Sequence, residues 1–97
     1  MHLELGPHQT SKAVTHRTVE EIWYFLSGYG QRWRLQNNRS EIIDLKPNMS
    51  VTIPVGTHFQ FRSTSIAALT AIGVTIPPWP GRDEATLVTG PWLNTMP

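Results

Sequence analysis

Hydrophobic and polar residues alternate in short runs along most of this chain, and turn-forming residues separate the runs. A period of two is typical of half-buried β-strands. No segment has the period of about 3.6 residues that marks an amphipathic helix. We therefore predict an all-β barrel or sandwich with strands at residues 1–5, 11–18, 21–26, 31–36, 41–45, 50–53, 57–62 and 66–76.

The alternation also assigns side chains to faces in the aromatic strand 21–26. Glu21, Trp23 and Phe25 share one face, and three equally bulky residues share the other. Because both faces carry large side chains, we expect both faces of this strand to be covered.

Arginines decide the orientation of the next strand. In residues 31–36, Gln31 and Trp33 lie on one face, and Arg32 and Arg34 lie on the other. Charged side chains ordinarily face water, so we expect the arginines outside and Trp33 in the interior.

Phe59 and Phe61 complete the predicted interior wall. They share one face of strand 57–62, and strict alternation points His58 to the opposite side. A small barrel can hold one small ligand against such a wall. The residues expected to line a substrate pocket are Trp23, Phe25, Gln31, Trp33, Phe59 and Phe61.

Length, charge and cysteine content limit the class of protein. A chain of 97 residues is one domain that buries roughly 60% of its unfolded surface, so a second chain covering an apolar face would help it. It has no cysteine for disulfides or thiolate metal sites, and its net charge of +1 includes no basic patch for nucleic acid. Without a membrane-length apolar run or secretory signal, we expect a cytoplasmic protein with neither a nucleic-acid nor a membrane partner.

Two spaced motifs resemble those of the cupin family. His16 is followed by four residues, Glu21, six residues and Gly28, as in the first cupin motif. Five residues separate Asn48 from the turn Pro54-Val55-Gly56, as in the second motif. The phrases HRTVEEIWYFLSG, IPVGTHFQFR and PPWPG are also similar to those of a subset of small cupins.

This resemblance implies a fold and an organisation. It implies a small antiparallel double-stranded β-helix, or jelly-roll, barrel that forms a single domain over residues 1–97. The barrel core would occupy about residues 8–76, and the Pro- and Trp-rich segment 77–97, which includes Arg82, would pack on or across it. Trp79 could close the barrel mouth or contact a second subunit, because cupins are often homodimers and we expect one here.

The chain departs from the cupin metal-binding pattern. Of the three His and one Glu that the family uses, only His16 and Glu21 are in place. The positions of the two other His and of the closing Asn hold Val14, Phe59 and Ser63.

One hypothesis for a cofactor is a single divalent transition metal, namely Ni, Fe, Mn, Cu or Zn. Such a site needs at least three protein ligands, and His16 and Glu21 supply two. His58 would be the third if a β-bulge turned its side chain inward. Gln60, Gln31 and His8 are the alternatives. The other hypothesis is that no metal binds and that His16 is a hydrogen-bonded cavity residue.

Without a metal, His16 and Glu21 can serve as a catalytic acid–base pair, since burial brings both groups toward neutral pKa values. With either a divalent metal or this acid–base pair, we expect an enzyme that acts on a small organic molecule in the barrel, of the isomerase, cyclase, lyase or oxygenase type. An alternative is a non-catalytic binding or sensing protein for a carbohydrate-like ligand. A third possibility is a degenerate barrel kept for dimeric assembly.

Overall fold

The structure is a computed structural model that describes residues 1–81 and 83–96. These residues form nine β-strands and no helix. No helix in these residues could cross a membrane. The prediction for Arg82 falls outside them. The strands are β1 (His2–Leu5), β2 (Val14–His16), β3 (Glu20–Ser27), β4 (Gly30–Gln36), β5 (Arg39–Leu45), β6 (Ser50–Ile53), β7 (His58–Ser63), β8 (Leu69–Ile76) and β9 (Ala85–Leu87).

The predicted fold class is confirmed, because these strands form two antiparallel sheets. One sheet has the order β1-β8-β3-β6 and the other β5-β4-β7-β2-β9. All eight predicted strands are present, although β2 and β8 are shorter than expected and β9 was not predicted. The buried core that joins the sheets consists of Leu5, Trp23, Phe25, Leu45, Val51, Ile53, Phe59, Phe61, Leu69 and Ala71.

The glycine of the first motif is required by the turn between β3 and β4. Gly28 has a φ of 79°, which side chains rarely adopt, and a Cβ there would lie 2.3 Å from the carbonyl oxygen of Ala68. The chain reverses direction there and returns as β4, so Gly28 fixes the end of the strand that carries Glu21.

The prediction that Trp33 faces the interior and Arg32 faces water is wrong. β4 pairs with β7 so that Arg32 is opposite Phe61 and Trp33 is opposite Gln60. Directly opposed residues point to the same face, so Arg32 is on the inner face and Trp33 on the outer one. Arg32 is buried there because its Nη2 pairs with Glu41 Oε1 at 2.6 Å, a partner that alternation alone does not supply.

Trp33 is nevertheless buried on the outer face of this sheet. Its Nε1 donates to Ser40 Oγ at 3.0 Å. The C-terminal segment packs on the same face, where Gln60 Nε2 donates to the carbonyl oxygens of Ser11 and Trp92. Part of segment 77–97 therefore covers the outside of the barrel, and Trp33 contributes to that layer rather than to a pocket.

One face of β3 is covered as predicted and the other is open. Glu21, Trp23 and Phe25 point inward and are buried, with Phe25 fully inaccessible. The outward residues of β3, which are Ile22, Tyr24 and Leu26, are 37–43% exposed. We expected both faces of this strand to be covered, but no described residue of the same chain buries the outer one.

Gly73 of β8 allows Trp23 to pack flat against the sheet, and this contact predicts a stability effect. A Cβ at Gly73 would lie 2.5–2.7 Å from three atoms of the Trp23 indole. We expect Gly73→Ala to lower the free energy of unfolding by about 1–3 kcal/mol, the usual cost of overpacking. Urea denaturation followed by circular dichroism would measure it. In a Trp23→Leu background the same substitution should cost clearly less, and an equal cost would contradict this explanation.

Candidate active site

His16 ends strand β2 with its imidazole pointing into the barrel. β2 lies between β7 and β9, and the backbone N–H of Gly56 donates to the His16 carbonyl oxygen at 3.1 Å. The two cupin-like motifs therefore meet at this hydrogen bond. The side chain is only 5% exposed.

Glu21 faces His16 from the opposite sheet. It is 3% exposed, and its Oε1 accepts a hydrogen bond from Trp23 Nε1 at 3.0 Å. His16 Nδ1 lies 3.7 Å from Glu21 Oε1, which is too long for a hydrogen bond. Among the described residues, His16 Nδ1 has no hydrogen-bond partner although it is buried. A buried polar atom without a partner costs free energy, so this nitrogen is suited to bind a ligand atom.

Burial shifts the pKa values of Glu21 and His16 in opposite directions. Desolvation raises the pKa of Glu21, and the hydrogen bond from Trp23 only partly opposes this. Desolvation also lowers the pKa of His16, opposed by the negative charge of Glu84. Both shifts favour the neutral forms, a protonated carboxyl beside a neutral imidazole.

Glu84 is a buried site residue that sequence reasoning missed. It is 4% exposed and lies close enough to His16 to affect its charge. Burial alone would raise the pKa of Glu84, but hydrogen bonds from Thr18 and Val19 outweigh that effect and lower it. Glu84 lies 66 residues after Thr18 in a segment without regular alternation, so no sequence pattern could have paired them.

A cavity of about 510 Å³ opens beside this pair. Its polar groups include His16 and Glu21, and its walls are mainly apolar. Trp79 and Phe59 approach His16 from two sides, edge-on, with ring centroids 5.1 Å and 5.2 Å from the imidazole. The remaining lining residues are Met1, His2, Leu3, Glu4, Leu5, Ser11, Lys12, Val14, Trp23, Phe61 and Met96.

The structure brings together five of the predicted catalytic, pocket and metal-binding residues. The cavity is lined by His16, Glu21, Trp23, Phe59 and Phe61. The other predicted pocket residues lie elsewhere: Phe25 is fully buried in the core behind the cavity wall, and Gln31 and Trp33 are on the outer face of β4.

His58 does not join His16 and Glu21. β7 pairs with β4 in unbroken register from His58 to Ser63, so no bulge turns the His58 side chain inward. It shares the outer face with its partners Leu35 and Thr15. The residue expected as the third metal ligand is therefore on the outer face of β7, away from the cavity.

His16 and Glu21 do not by themselves fit a transition-metal site. They offer two donors where at least three are needed. Within residues 1–81 and 83–96, no three His, Cys, Asp or Glu side chains are grouped to hold a metal ion. The position beside His16 that a ligand would take is filled by the ring of Phe59. The donor set therefore favours proton chemistry.

Comparisons with known proteins agree on the fold. No family model matches the sequence, and no curated protein is similar to it in sequence. Among solved structures, the capsular polysaccharide assembling protein CapF of Staphylococcus aureus matches with a TM-score of 0.76 and 20% identity over 90% of this chain, which spans 27% of CapF. Oxalate oxidase matches with a TM-score of 0.70 and 14% identity. The match covers 74% of this chain and 38% of the oxalate oxidase chain.

A third similar structure is itself described by its fold. An uncharacterized protein with a double-stranded β-helix domain from Klebsiella pneumoniae matches with a TM-score of 0.76 and 15% identity, over 92% of this chain and 72% of its own. The protein thus has the cupin fold, and the resemblance of its two motifs to cupins is confirmed at the level of the fold.

The buried carboxyl of Glu21 predicts a pH-dependent gain in stability for Glu21→Gln. At pH values between the ordinary pKa and the raised one, Glu21 is protonated in the folded protein and ionised in the unfolded chain. Its contribution to the free energy of unfolding therefore falls as the pH rises through that window. His16 has the opposite slope because its folded pKa is lowered. Comparing variant with wild type therefore isolates Glu21.

Urea midpoints measured from about pH 4 to about pH 8 would test this, since that range spans the ordinary pKa values of Glu and His. Glu21→Gln should gain stability over wild type as pH rises. The matched control is Glu20→Gln, the neighbour on the other face of β3. A constant difference between Glu21→Gln and wild type at every pH would contradict the assignment.

Proposed function

We propose that this cupin is an enzyme that binds a small organic molecule with a carbonyl group and moves a proton on it, using His16 as general base and Glu21 as general acid. The observation that carries the proposal is the buried pair with His16 Nδ1 unpartnered among the described residues and 3.7 Å from Glu21 Oε1, at the wall of a cavity of about 510 Å³. That volume suits a small ligand.

The protonation states favour this chemistry. A neutral imidazole accepts a proton from the carbon next to the carbonyl, and the C–H bonding pair moves to form a carbon–carbon double bond. The protonated carboxyl of Glu21 gives its proton to the carbonyl oxygen, which leaves an enol and a Glu21 carboxylate. Return of the proton from His16 to the same carbon, with the enol O–H proton going back to the Glu21 carboxylate, completes an epimerisation. Where that carbon carries a hydroxyl, the intermediate is an enediol. Protonation of the former carbonyl carbon by His16, with loss of the neighbouring hydroxyl proton to Glu21, then completes an isomerisation.

The walls support binding of a compact, largely apolar skeleton. Trp23, Phe59 and Phe61 line the cavity, and the Trp79 ring lies beside the His16 imidazole, so the surroundings of the pair are mainly aromatic. Exclusion of water strengthens electrostatic interactions at the reacting atoms.

Hydrogen–deuterium exchange at carbon tests the proposal with a panel of carbonyl compounds. NMR of hydroxyketones, 2-oxo acids and hexoses incubated with the protein in D₂O would reveal catalysed loss of the proton next to the carbonyl. We expect His16→Gln to slow that exchange by about 10²–10⁴-fold. His58→Gln, on the outer face of β7, is the matched control and should leave the rate unchanged. Equal rates for wild type and His16→Gln would refute the base role.

A second candidate function is non-catalytic binding of a carbohydrate-like ligand. It is favoured by Trp79, which is 41% exposed at the cavity and offers a face to a sugar ring. In that case Trp79→Leu should weaken binding by about two- to tenfold, the scale of one aromatic contact, while His16→Gln has little effect. Saturation-transfer NMR with the same compounds would separate the two functions.

We also propose that a second copy of the chain covers the outer face of the four-stranded sheet. Cross-strand pairs on β3 and β8 include Ile22 with Val74 and Tyr24 with Ile72, each of these residues at least 37% exposed. Such a contiguous apolar patch is typical of an interface. Its flanks on β1 and β6 are polar, which gives the apolar centre and polar rim of a protein contact.

The apolar patch predicts the effect of charge on assembly. Ile22→Lys and Val74→Lys should each convert a dimer to a monomer, because a lysine at the centre of the interface would lose its hydration. Sedimentation equilibrium at micromolar concentrations would measure the mass. Thr52→Lys, at the position beside Ile22 on β6, is the control and should remain dimeric. A monomeric wild-type protein would rule the dimer out.

A further inference from the structure

Glu84 lies outside both cupin-like motifs, yet it connects the segment that carries Trp79 to the residues that follow His16. Its Oε2 accepts hydrogen bonds from the backbone N–H groups of Thr18 and Val19, and its Oε1 accepts one from the Thr18 hydroxyl. The Glu84 carbonyl oxygen accepts a fourth from the N–H of Arg17 at 3.0 Å. Three consecutive residues directly after His16 are thus tied to one side chain and its backbone.

The same residue is joined to the Trp79 segment. The N–H of Glu84 donates to the carbonyl oxygen of Gly81 at 3.2 Å, two residues after Trp79. β9 begins immediately after Glu84 and pairs with β2, with His16 opposite Ala85. Gly81 is therefore hydrogen-bonded to Glu84, and the chain after Glu84 is paired with the strand that ends at His16.

Trp79 lies at the far end of this connection. Its ring is 5.1 Å from the His16 imidazole, at an interplanar angle of 80°, and it lines the cavity. His16 is only 5% exposed whereas Trp79 is 41% exposed. The indole thus lies between the imidazole and solvent, as a roof.

We propose that Glu84 is a positioning residue whose bonds to Gly81 and to the Thr18–Val19 backbone form a latch that holds Trp79 as a roof over His16. The latch stands on its own geometry. Its consequence for catalysis, that Trp79 limits the size of the ligand that reaches His16, rests on the proposed function. The ligands admitted would be small molecules that fit beside a fixed indole.

Two substitutions at Glu84 separate the latch from the rest of the fold. Glu84→Gln keeps an oxygen for the two backbone N–H groups, and its amide can donate to the Thr18 hydroxyl. Glu84→Ala removes all the side-chain bonds. Asp83→Asn is the matched control, an exposed carboxylate beside Glu84. Trp79→Leu removes the roof directly.

The readout is the rate at which diethyl pyrocarbonate modifies His16, measured by peptide mass spectrometry on the full-length chain. Exposed His8 of the same molecule is the internal reference. At about pH 8 imidazoles are neutral, so the rate reports access rather than charge. We expect His16 to react much more slowly than His8 in wild type.

Opening the roof should raise the His16 rate selectively. We expect Glu84→Ala and Trp79→Leu to raise it by about tenfold or more, given the strength of hydrogen bonds to a charged group. Glu84→Gln and Asp83→Asn should leave it at the wild-type value. An unchanged rate in Glu84→Ala overturns the proposal, and so does a rate in Glu84→Gln equal to that in Glu84→Ala.

One further variant, Thr18→Ala, together with Trp79→Leu keeps the test decisive if Glu84→Ala does not fold. Thr18→Ala removes one donor from the latch and should give a smaller increase, and Trp79→Leu leaves the latch intact. Unchanged His16 rates in both would overturn the roof. Because no substrate is used, the result is independent of carbon-proton exchange. If the variants change the His16 modification rate as expected but the protein catalyses no carbon–proton exchange, the role of Glu84 is supported and the proposed acid–base function is refuted.

Discussion

The contact between Trp23 and Gly73 is the interaction on which the site depends. Because Gly73 has no side chain, the indole of Trp23 packs directly against β8, its neighbour in the four-stranded sheet. From that position Trp23 Nε1 donates to Glu21 Oε1, and the ring forms part of the cavity wall. One backbone position on β8 therefore sets the core packing, the orientation of the carboxyl and the shape of the pocket.

Two buried carboxyls near His16 are held in different states by their surroundings. Glu84 accepts three hydrogen bonds through its carboxylate, which stabilise the charged form. Glu21 accepts one, from a neutral indole, so burial favours its protonated form. Pairs of titratable groups pushed apart in pKa are the usual basis for dividing acid and base roles. Here the carboxyl whose pKa is lowered is hydrogen-bonded to the backbone, and the one whose pKa is raised lies next to the cavity.

Much of the fold could be predicted from the sequence because strand alternation and glycine turns are local signals. Period two groups Glu21 with Trp23 and Phe59 with Phe61, and the structure buries both of these groups. The orientation of β4 could not be obtained this way, since Arg32 is buried by an ion pair with Glu41 on the next strand. For the site, spacing identified His16 and Glu21. Glu84 depends on a contact across most of the chain, and no local pattern encodes it.

The half-exposed Trp79 gives this molecule an optical signal of its own. Two of its four tryptophans, Trp23 and Trp33, are buried at 6% exposure, so their emission is shielded from water. The Trp79 ring instead meets both solvent and the His16 imidazole. The fourth tryptophan, Trp92, is half-buried beside Gln60 and Arg62, away from the cavity. Of the tryptophans that reach solvent, Trp79 is therefore the one at the mouth of the barrel. A molecule that enters there changes the colour or the intensity of the light that the unlabelled protein emits.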